Sequence, residues 1–193
     1  MKLAVIIGST REGRVSDRVA NWVAREAKNL PDTEVTIIDL KDHQLPFFDE
    51  AISPQYNPDR KPVEAVKKFI DLVGTFDSVA LVTPEYNRSY SAVLKNALDY
   101  LDFQLKQKPV QLVAHGSTGG AQAVSHLRAV LPGLGAVTNP VAVMITDRVG
   151  SIIDENGELE AKLQENPYGP QANLKNALVD LKWYSDALAK ARS

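Results

Sequence analysis

The pattern of apolar and polar positions alternates between short apolar runs and longer amphipathic stretches. The run from Leu3 to Ile7 is apolar at every position, which is typical of a strand covered on both faces in a parallel sheet. We therefore expect this strand at the centre of the sheet. Similar short runs follow along the chain, and together they predict five strands, over residues 3–7, 35–40, 78–83, 111–114 and 141–145.

Between these runs, apolar residues recur with the spacing of a helix. The spacing predicts five helices, over about residues 18–30, 63–74, 93–101, 121–131 and 174–191. Ser16 or Asp17 is expected to cap the first helix, and Gly74 to end the second. Strands that alternate with helices predict a parallel sheet with helices on both faces, joined by right-handed crossovers.

Two stretches lack a regular pattern. Residues 41–62 contain four prolines together with Phe47, Phe48 and Tyr56, a composition that resists regular structure but carries aromatic surface. A loop of this length is either functional, for example as a lid, or an ordered surface excursion whose phenylalanines pack on the domain. The stretch 147–169 is expected to be irregular, with a turn at 154–157.

Composition narrows the class of protein. With 193 residues and 44% hydrophobic content, the chain can form one core, so we expect a single domain over residues 1–193. A formal net charge of -2 offers no basic field for nucleic acid or an anionic membrane surface. No apolar run approaches the ~18 residues of a membrane-spanning helix. The chain has no cysteine, which fits a reducing compartment. We expect a cytoplasmic protein with a small-molecule partner.

The loop after the first predicted strand, residues 8–16 with the sequence GSTREGRVS, combines small residues with two arginines and leads into a helix. Free backbone amides, a helix N-terminus and guanidinium groups together predict an anion site, most simply for a phosphate. The alternative is a tight turn with solvent-facing arginines. In an anion site the side-chain donors would be Ser9, Thr10, Arg11, Arg14 and Ser16.

The spacing of these residues excludes several common sites. A P-loop would carry lysine and a hydroxyl residue where this chain has Arg14 and Val15, and valine cannot bind magnesium. The dinucleotide motif G-x-G-x-x-G is absent. A nucleophile elbow G-x-S-x-G is broken around Ser117, because His115 stands in place of its first glycine. His115 also ends a predicted strand, which makes it a candidate for polarising a bound ring.

Two more loops of unusual composition follow predicted strands. Residues 84–87 (PEYN) offer a bend, a carboxylate, an aromatic ring and an amide, which can border a planar heterocycle. Residues 116–120 (GSTGG) allow a ligand to approach the backbone closely. Each loop alone could be an ordinary connection. Because the three loops follow strands one, three and four, they lie at the carboxyl edge of the sheet, and we expect them to share one pocket.

Taken together, these motifs resemble the NADPH-dependent FMN reductase family. The resemblance is carried by GSTR at 8–11, PEYN at 84–87, LKNALD at 94–99, and the glycine loop that leads into HLR at 126–128. It covers about residues 1–145. The chain departs from the commonest first motif of the family, G-S-x-R-x-x-S-x-N, at Arg14 and Ser16. The phosphate is therefore expected to be held with more charge here.

The resemblance implies an α/β fold, a flavodoxin-like three-layer sandwich with a five-stranded parallel sheet in the order 2-1-3-4-5 and helices on both faces. It also implies bound FMN, with NADPH or NADH as co-substrate and ping-pong hydride transfer to a small acceptor. That acceptor would be a quinone, free flavin, an azo compound or a metal oxyanion. The flavin would carry the chemistry, so we expect no catalytic side chain and no metal. A homodimer or homotetramer is implied as well.

The resemblance also assigns site residues. Those around the FMN phosphate would be Ser9, Arg11, Arg14 and Ser16. Those bordering the ribityl chain and the ring edge would be Pro84, Glu85, Tyr86 and Asn87. Those along the isoalloxazine would be in the loop 116–120, namely Gly116, Ser117, Gly119 and Gly120.

Two other classes of protein share part of this pattern. A flavodoxin-like carrier would hold FMN and exchange single electrons with protein partners, but such carriers are commonly strongly acidic. A net charge of -2 with arginines near the site fits that class less well. A flavin-free module that binds another phosphorylated ligand is the third reading. The helix after Tyr90 is either an interface element or wholly intramolecular.

Overall fold

One parallel sheet of six strands organises the computed structural model, which describes residues 1–146 and 148–192. The sheet order is β2-β1-β3-β4-β5, and β6 also pairs with β4. All of these pairings are parallel, so the predicted flavodoxin-like order is confirmed. The strands are β1 (Lys2–Ile7), β2 (Glu34–Asp39), β3 (Ser78–Pro84), β4 (Pro109–His115), β5 (Val137–Thr138) and β6 (Val143–Ile145).

Helices cover both faces of the sheet. In the described ranges, they are α1 (Ser16–Ala27), α2 (Glu64–Gly74), α3 (Ala92–Asp99), α4 (Ala121–Val130), α5 (Val149–Ile152), α6 (Ala161–Gln164) and α7 (Pro170–Arg192). Residues of α2, α3 and α4 pack in one core, and residues of α1, α5 and α7 pack in the other. None of these helices combines the length and the apolar character needed to cross a membrane.

The central strands supply both cores with alternate residues. In β1, Ala4 and Ile6 face the core shared with α2 and α3, whereas Leu3 and Val5 face the core shared with α1 and α7. All four side chains are almost fully buried. A strand covered on both faces must be apolar at every position, which explains the unbroken run in the sequence.

The start of α1 differs from the sequence-based expectation. Its N-cap is Val15, which cannot provide a side-chain hydrogen bond, and Ser16 is the first helical residue. The prediction that Ser16 or Asp17 caps this helix was therefore wrong. The Ser16 hydroxyl lies near a histidine of the neighbouring strand β4 instead, at 2.8 Å.

The stretch predicted to be irregular contains two short helices. These are α5 and α6, each of four residues. The predicted turn at 154–157 is confirmed, because Gly157 donates a backbone hydrogen bond to Asp154 at 3.1 Å. Asp147, the first residue of the predicted stretch, lies outside the described residues.

The fifth predicted strand, over residues 141–145, corresponds to β6, and the prediction missed the short strand β5 that precedes it. Pro140 has no N–H to offer the sheet, so the ladder is interrupted there. The side-chain amide of Asn139 turns inward, to Gln111 on β4 and to the carbonyl of Ala177 on α7, the latter at 2.8 Å. Gln111 in turn donates to the carbonyl of Val141 at 2.9 Å. In the segment between β5 and β6, these side-chain bonds take the place of regular strand pairing with β4.

The long loop between β2 and α2 lies against α3. The side chain of Asn96 accepts a hydrogen bond from the backbone of Phe48 at 2.8 Å, and the Phe48 ring packs edge-on against Tyr100. Within the loop, Arg60 forms two hydrogen bonds with Glu50, at 2.7 and 2.8 Å. These contacts fit an ordered surface excursion, although only Phe48 packs on the domain and Phe47 is 85% exposed.

Candidate functional site

Three loops meet at the carboxyl edge of the sheet. We name them the β1 loop (residues 8–15), the β3 loop (residues 85–91) and the β4 loop (residues 116–120). The Ser9 hydroxyl of the β1 loop lies 3.0 Å from the Tyr86 hydroxyl of the β3 loop. The Glu85 carboxylate of the β3 loop accepts a hydrogen bond from Thr118 of the β4 loop at 3.1 Å. The three loops therefore meet, as their positions in the sequence predict, and the shared pocket stays a prediction.

The β1 loop is packed closely against β3 at its first residue. Gly8 donates its backbone N–H to the carbonyl oxygen of Val82 at 2.8 Å. A Cβ atom at Gly8 would lie only 2.9 Å from that carbonyl oxygen. The hydroxyl of Ser91 donates to the Gly8 carbonyl and also caps α3, accepting from the backbone of Leu94 at 3.2 Å. A glycine is thus required where the loop begins.

Several hydrogen-bond donors of the β1 loop and of the first residue of α1 are free. The backbone amides of Ser9, Val15 and Ser16 donate to no acceptor in the described part of the chain, and no side chain caps α1. Arg11 is exposed and forms no ion pair with a described residue, and its guanidinium lies 6.0 Å from the centre of the Tyr86 ring. Free amides at a helix N-terminus beside a free cation are suited to bind a phosphate.

Arg14 is bound to protein groups on both sides. One guanidinium nitrogen donates to the backbone carbonyl of Ser9 at 2.6 Å and to Asp39 at 2.7 Å, and the other donates to the second carboxylate oxygen of Asp39. Only 12% of the Arg14 side chain is exposed. Asp39 therefore neutralises the Arg14 guanidinium, which the sequence analysis had expected to bind the phosphate. In this position Arg14 fixes the shape of the loop.

The β3 loop makes a tight turn over residues 86–89. Tyr86 and Ser89 exchange backbone hydrogen bonds of 2.8 and 3.0 Å, while Asn87 and Arg88 adopt φ values of 48° and 67°. Two left-handed residues in this position define a type I′ turn, in which glycine is usually preferred. Strained turns of this kind persist only where the surroundings hold them, and they are frequent at ligand sites. A contact of 2.9 Å between the Ser89 hydroxyl and His126 on α4 helps to hold this one.

Glu85 joins the β3 loop to the β4 loop and to α4. One carboxylate oxygen accepts from the backbone N–H of Gln122, in the first turn of α4, at 2.9 Å. The N-cap of α4 is Gly120, which has no side chain to provide this bond. A carboxylate at a helix N-terminus also interacts favourably with the helix dipole. Glu85 therefore braces the two loops that the sequence places along a ring.

The β4 loop depends on backbone conformations that only glycine adopts easily. Gly119 and Gly120 have φ values of 70° and 78°, and a Cβ atom on Gly120 would lie 2.5 Å from the Cβ of Ala114. Ser117 is exposed at the tip of the loop, next to the half-buried Gly116. Gly119 and Gly120 are themselves buried, so the backbone that a flat ring can approach lies at Gly116.

His115 ends β4 beneath these loops. Its side chain is 7% exposed, and its Nε2 lies 2.8 Å from the hydroxyl oxygen of Ser16. Burial, and to a lesser degree the charge of Arg11, lowers the pKa of His115 to about 4. The imidazole is consequently neutral near pH 7, so one ring nitrogen carries a proton and the other accepts.

Two residues of the site were not singled out in the sequence, and a third, His126, was given no role in the site. Asp39 is an acidic residue at the end of a strand that neighbours β1, a position at which a partner for a loop arginine could have been sought. Ser91 stands before a helical pattern and was recognisable as an N-cap. His126 meets Ser89 only through the placement of α4 on the sheet, and no local pattern indicates that contact.

Two cavities of the described residues lie near the three loops but not where the loops meet. A cavity of about 610 Å³ lies between α1 and residues 150–164, and its lining includes Arg18, Glu155 and Glu158. Arg18 there already donates to two backbone carbonyls. A cavity of about 420 Å³ borders the outer side of the β1 loop and includes Arg11 and Lys41. Because the free donors lie in the β1 loop, the chemistry favours the loops as the site.

Comparison with known proteins identifies relatives of this chain in both sequence and structure. A family model described as NADPH-dependent FMN reductase matches residues 1–149. An NAD(P)H-dependent FMN reductase of Schizosaccharomyces pombe is 31% identical over 184 residues, covering 86% of this chain and 92% of that protein. An NADPH azoreductase of Bacillus sp. (strain OY1-2) is 36% identical over 148 residues, covering 75% of this chain and 76% of that protein. The solved structure of FerB, a flavoenzyme NAD(P)H:(acceptor) oxidoreductase from Paracoccus denitrificans, superposes with a TM-score of 0.70 at 22% identity. The superposition covers 98% of this chain and 97% of that one.

Proposed function

This chain belongs to the NADPH-dependent FMN reductase family, and we propose that it passes hydride from NADPH or NADH to bound FMN and then, in a ping-pong sequence, to a small electron acceptor. As a member of that family it is an oxidoreductase that uses FMN and NAD(P)H. The order of the two half-reactions and the acceptor are part of the proposal.

The observation that carries the proposal is the set of free donors in the β1 loop beside the bare backbone of the β4 loop. A phosphate needs amides, hydroxyls and a cation, which are present at Ser9, Ser16 and Arg11. A planar ring needs an exposed surface with few side chains, which the β4 loop offers at Gly116, whereas Gly119 and Gly120 are buried and set the path of the loop. A ligand that has both a terminal phosphate and a flat ring fits this combination, and FMN is such a ligand.

In this proposal the site residues divide by role. Ser9, Arg11 and Ser16 bind the phosphate, while Arg14 holds the loop in shape through Asp39. Residues 84–87 border the ribityl chain and the ring edge, and residues 116–120 lie along the isoalloxazine. Within this division, Glu85 supports the ring site by bracing the loops rather than by touching the ring.

When bound, FMN supplies the capacity to accept and return a hydride, and the protein positions it and controls its surroundings. The exposed side of the site is bordered by Asn87 and Arg88, so a nicotinamide and an acceptor can enter in turn by the same route. Because His115 is neutral at pH 7, it contributes no charge near the flavin ring. No side chain is required to form a bond with either substrate.

The proposed acceptors are quinones, free flavin, azo compounds and metal oxyanions. The NADPH azoreductase among the relatives supports the azo compounds. An anaerobic stopped-flow screen of NADPH and NADH, each followed by one acceptor of every class, identifies the preferred pair. The homodimer or homotetramer and the cytoplasmic location stay predictions, and light scattering of the purified protein measures the first of them.

The test of the proposed function is anaerobic reduction of the purified, FMN-loaded protein. Addition of NADPH or NADH is expected to bleach the flavin absorbance promptly, and a quinone added afterwards is expected to restore it. An unchanged spectrum would contradict the proposal and would fit a flavodoxin-like carrier. A protein that takes up no FMN would fit a module for another phosphorylated ligand.

A further inference from the structure

A buried contact between Ser16 and His115 joins the first turn of α1 to the end of β4. The Ser16 hydroxyl oxygen lies 2.8 Å from Nε2 of His115, although 99 residues separate the two in sequence. The two residues are 1% and 7% exposed. Among the described residues, Ser16 is the one side-chain hydrogen-bond partner of the His115 imidazole.

The charges around this pair leave the imidazole neutral. Arg11, in the β1 loop, opposes protonation of His115, and burial opposes it more strongly. From the β3 side, Glu85 turns its carboxylate to Gln122 and Thr118 rather than to the histidine. From α1, Asp17 faces Arg14 and the backbone of its own helix. Among the residues that the structure describes, no carboxylate is therefore directed at the ring to stabilise a charged form.

A neutral imidazole can meet a hydroxyl in two ways. If Nδ1 carries the proton, Ser16 donates its hydroxyl hydrogen to Nε2, and its oxygen presents only lone pairs to the β1 loop. If Nε2 carries the proton, the ring donates to the Ser16 oxygen, and the hydroxyl hydrogen is free to point elsewhere. An anion beside Ser16 favours the second arrangement, because it accepts that hydrogen.

We propose that His115 is a positioning residue of the phosphate site, which donates from Nε2 to the Ser16 oxygen and thereby directs the Ser16 hydroxyl hydrogen to the FMN phosphate. This inference rests on the proposed function, since it requires the phosphate to lie in the β1 loop. It also gives a physical reason for a buried histidine at the end of β4. Ser9 has a comparable partner in Tyr86, at 3.0 Å, so the hydroxyls of Ser9 and Ser16 each contact a side chain from a different strand or loop.

Binding of FMN and of riboflavin to four variants tests the inference. Riboflavin has the same ring and ribityl chain but no phosphate, so a positioning role toward the phosphate must affect FMN alone. The variants are Ser16→Ala, His115→Asn, His115→Gln and the double variant Ser16→Ala/His115→Asn. Glutamine can place a donor near the Nε2 position, whereas asparagine is too short to reach Ser16.

Ser16→Ala is expected to weaken FMN binding about tenfold or more, because a hydrogen bond to a charged group is lost. His115→Asn is expected to weaken it roughly three- to tenfold, because one neutral hydrogen bond is lost. His115→Gln should retain most of the affinity. The double variant should bind FMN as Ser16→Ala does, since no hydroxyl remains to be positioned. Riboflavin binding should be the same in all of them.

Other results overturn the inference. Equal losses for FMN and riboflavin would show that His115 acts on the ring or on folding. Losses that multiply in the double variant would show that the two residues act independently. If the wild-type protein binds no FMN, the proposed function itself fails, and the inference fails with it.

A second measurement needs no variant and therefore does not depend on whether His115→Asn folds. Nitrogen NMR of histidine-labelled protein distinguishes a protonated ring nitrogen from a bare one. In the FMN complex, Nε2 of His115 should carry the proton and Nδ1 should not. The opposite tautomer in that complex would overturn the inference.

Discussion

Arg14 and Asp39 form a two-pronged ion pair that ties the β1 loop to the end of β2. One guanidinium nitrogen lies 2.7 Å from one carboxylate oxygen, and the second nitrogen contacts the other oxygen. Burial disfavours a charged Asp39, but the hydrogen bonds from Arg14 and from the backbone of Lys41 outweigh it and lower the pKa of the carboxyl. The pair leaves Arg11 as the free cation of this loop.

The first prediction follows from that pair. Asp39→Asn removes the charge that neutralises Arg14, so the free energy of unfolding at pH 7 should fall by about 1.5 to 3 kcal/mol in a urea titration. Asp180→Asn, an exposed change on α7 with no partner in the described residues, should leave it within about 0.5 kcal/mol. Because the folded pKa lies below the unfolded one, the contribution of Asp39 is present above about pH 4 and lost below it. Equal midpoints for both variants would contradict a stabilising pair.

The second prediction concerns the β4 loop. Gly120→Ala forces a side chain into a left-handed conformation and against Ala114, so it should reduce the free energy of unfolding by about 2 to 5 kcal/mol. Gly133→Ala serves as the control, because nothing lies within 4 Å of its added Cβ and its φ is not positive. Urea unfolding of the two proteins compares them. A Gly120→Ala protein as stable as the control would show that the loop relaxes freely.

The third prediction concerns the brace between the loops. Glu85→Gln keeps the size of the side chain but removes its charge from the N-terminus of α4, so about 1 kcal/mol of local stability should be lost. Hydrogen exchange at the backbone amide of Gln122, which Glu85 binds, should become about fivefold faster. Glu165→Gln, an exposed change, should leave that rate unchanged. An unaltered rate in Glu85→Gln would refute the capping role.

The fourth prediction is a dependence of stability on pH through His115. The unfolded chain takes up a proton on this residue below about pH 6.5, whereas the folded protein does so only near pH 4. The stability contribution is thus complete above about pH 6.5 and declines as the pH falls toward 4. Between pH 7 and pH 5 the free energy of unfolding should fall by about 2 kcal/mol from this residue. His115→Gln should lose that part of the decline. Parallel pH profiles for the two proteins would contradict a buried neutral histidine.

Much of the fold could be predicted because a strand buried on both faces of the sheet must be apolar at every position. Runs such as Leu3 to Ile7 have no polar position, so the central strands could be predicted from the sequence. Their order in the sheet followed from the family resemblance. The edge strand was harder to predict, because its pairing is interrupted at Pro140 and replaced by the side chains of Asn139 and Gln111. Those bonds join positions far apart in the chain, where local spacing carries no information.

The site was predictable in position but less so in the roles of its residues. The carboxyl edge follows from the strand order, which brought the three loops together correctly. The separate tasks of Arg11 and Arg14 depend on Asp39, a residue at the end of another strand. Ser16 was expected to cap its helix, and its contact with His115 depends on how α1 lies against β4. Partners of this kind are set by packing in three dimensions.

The central claim is that the phosphate of FMN lies in the β1 loop beside Arg11. The most direct test compares the dissociation constants of FMN and riboflavin for wild type, Arg11→Ala and Lys28→Ala, measured by fluorescence titration. Lys28 carries the same charge but is exposed at the far end of α1. Arg11→Ala should weaken FMN binding at least about tenfold and leave riboflavin binding unchanged, because a charge-assisted hydrogen bond contributes about 1.5 to 3 kcal/mol. Lys28→Ala should change neither. FMN binding as tight in Arg11→Ala as in wild type would contradict the claim.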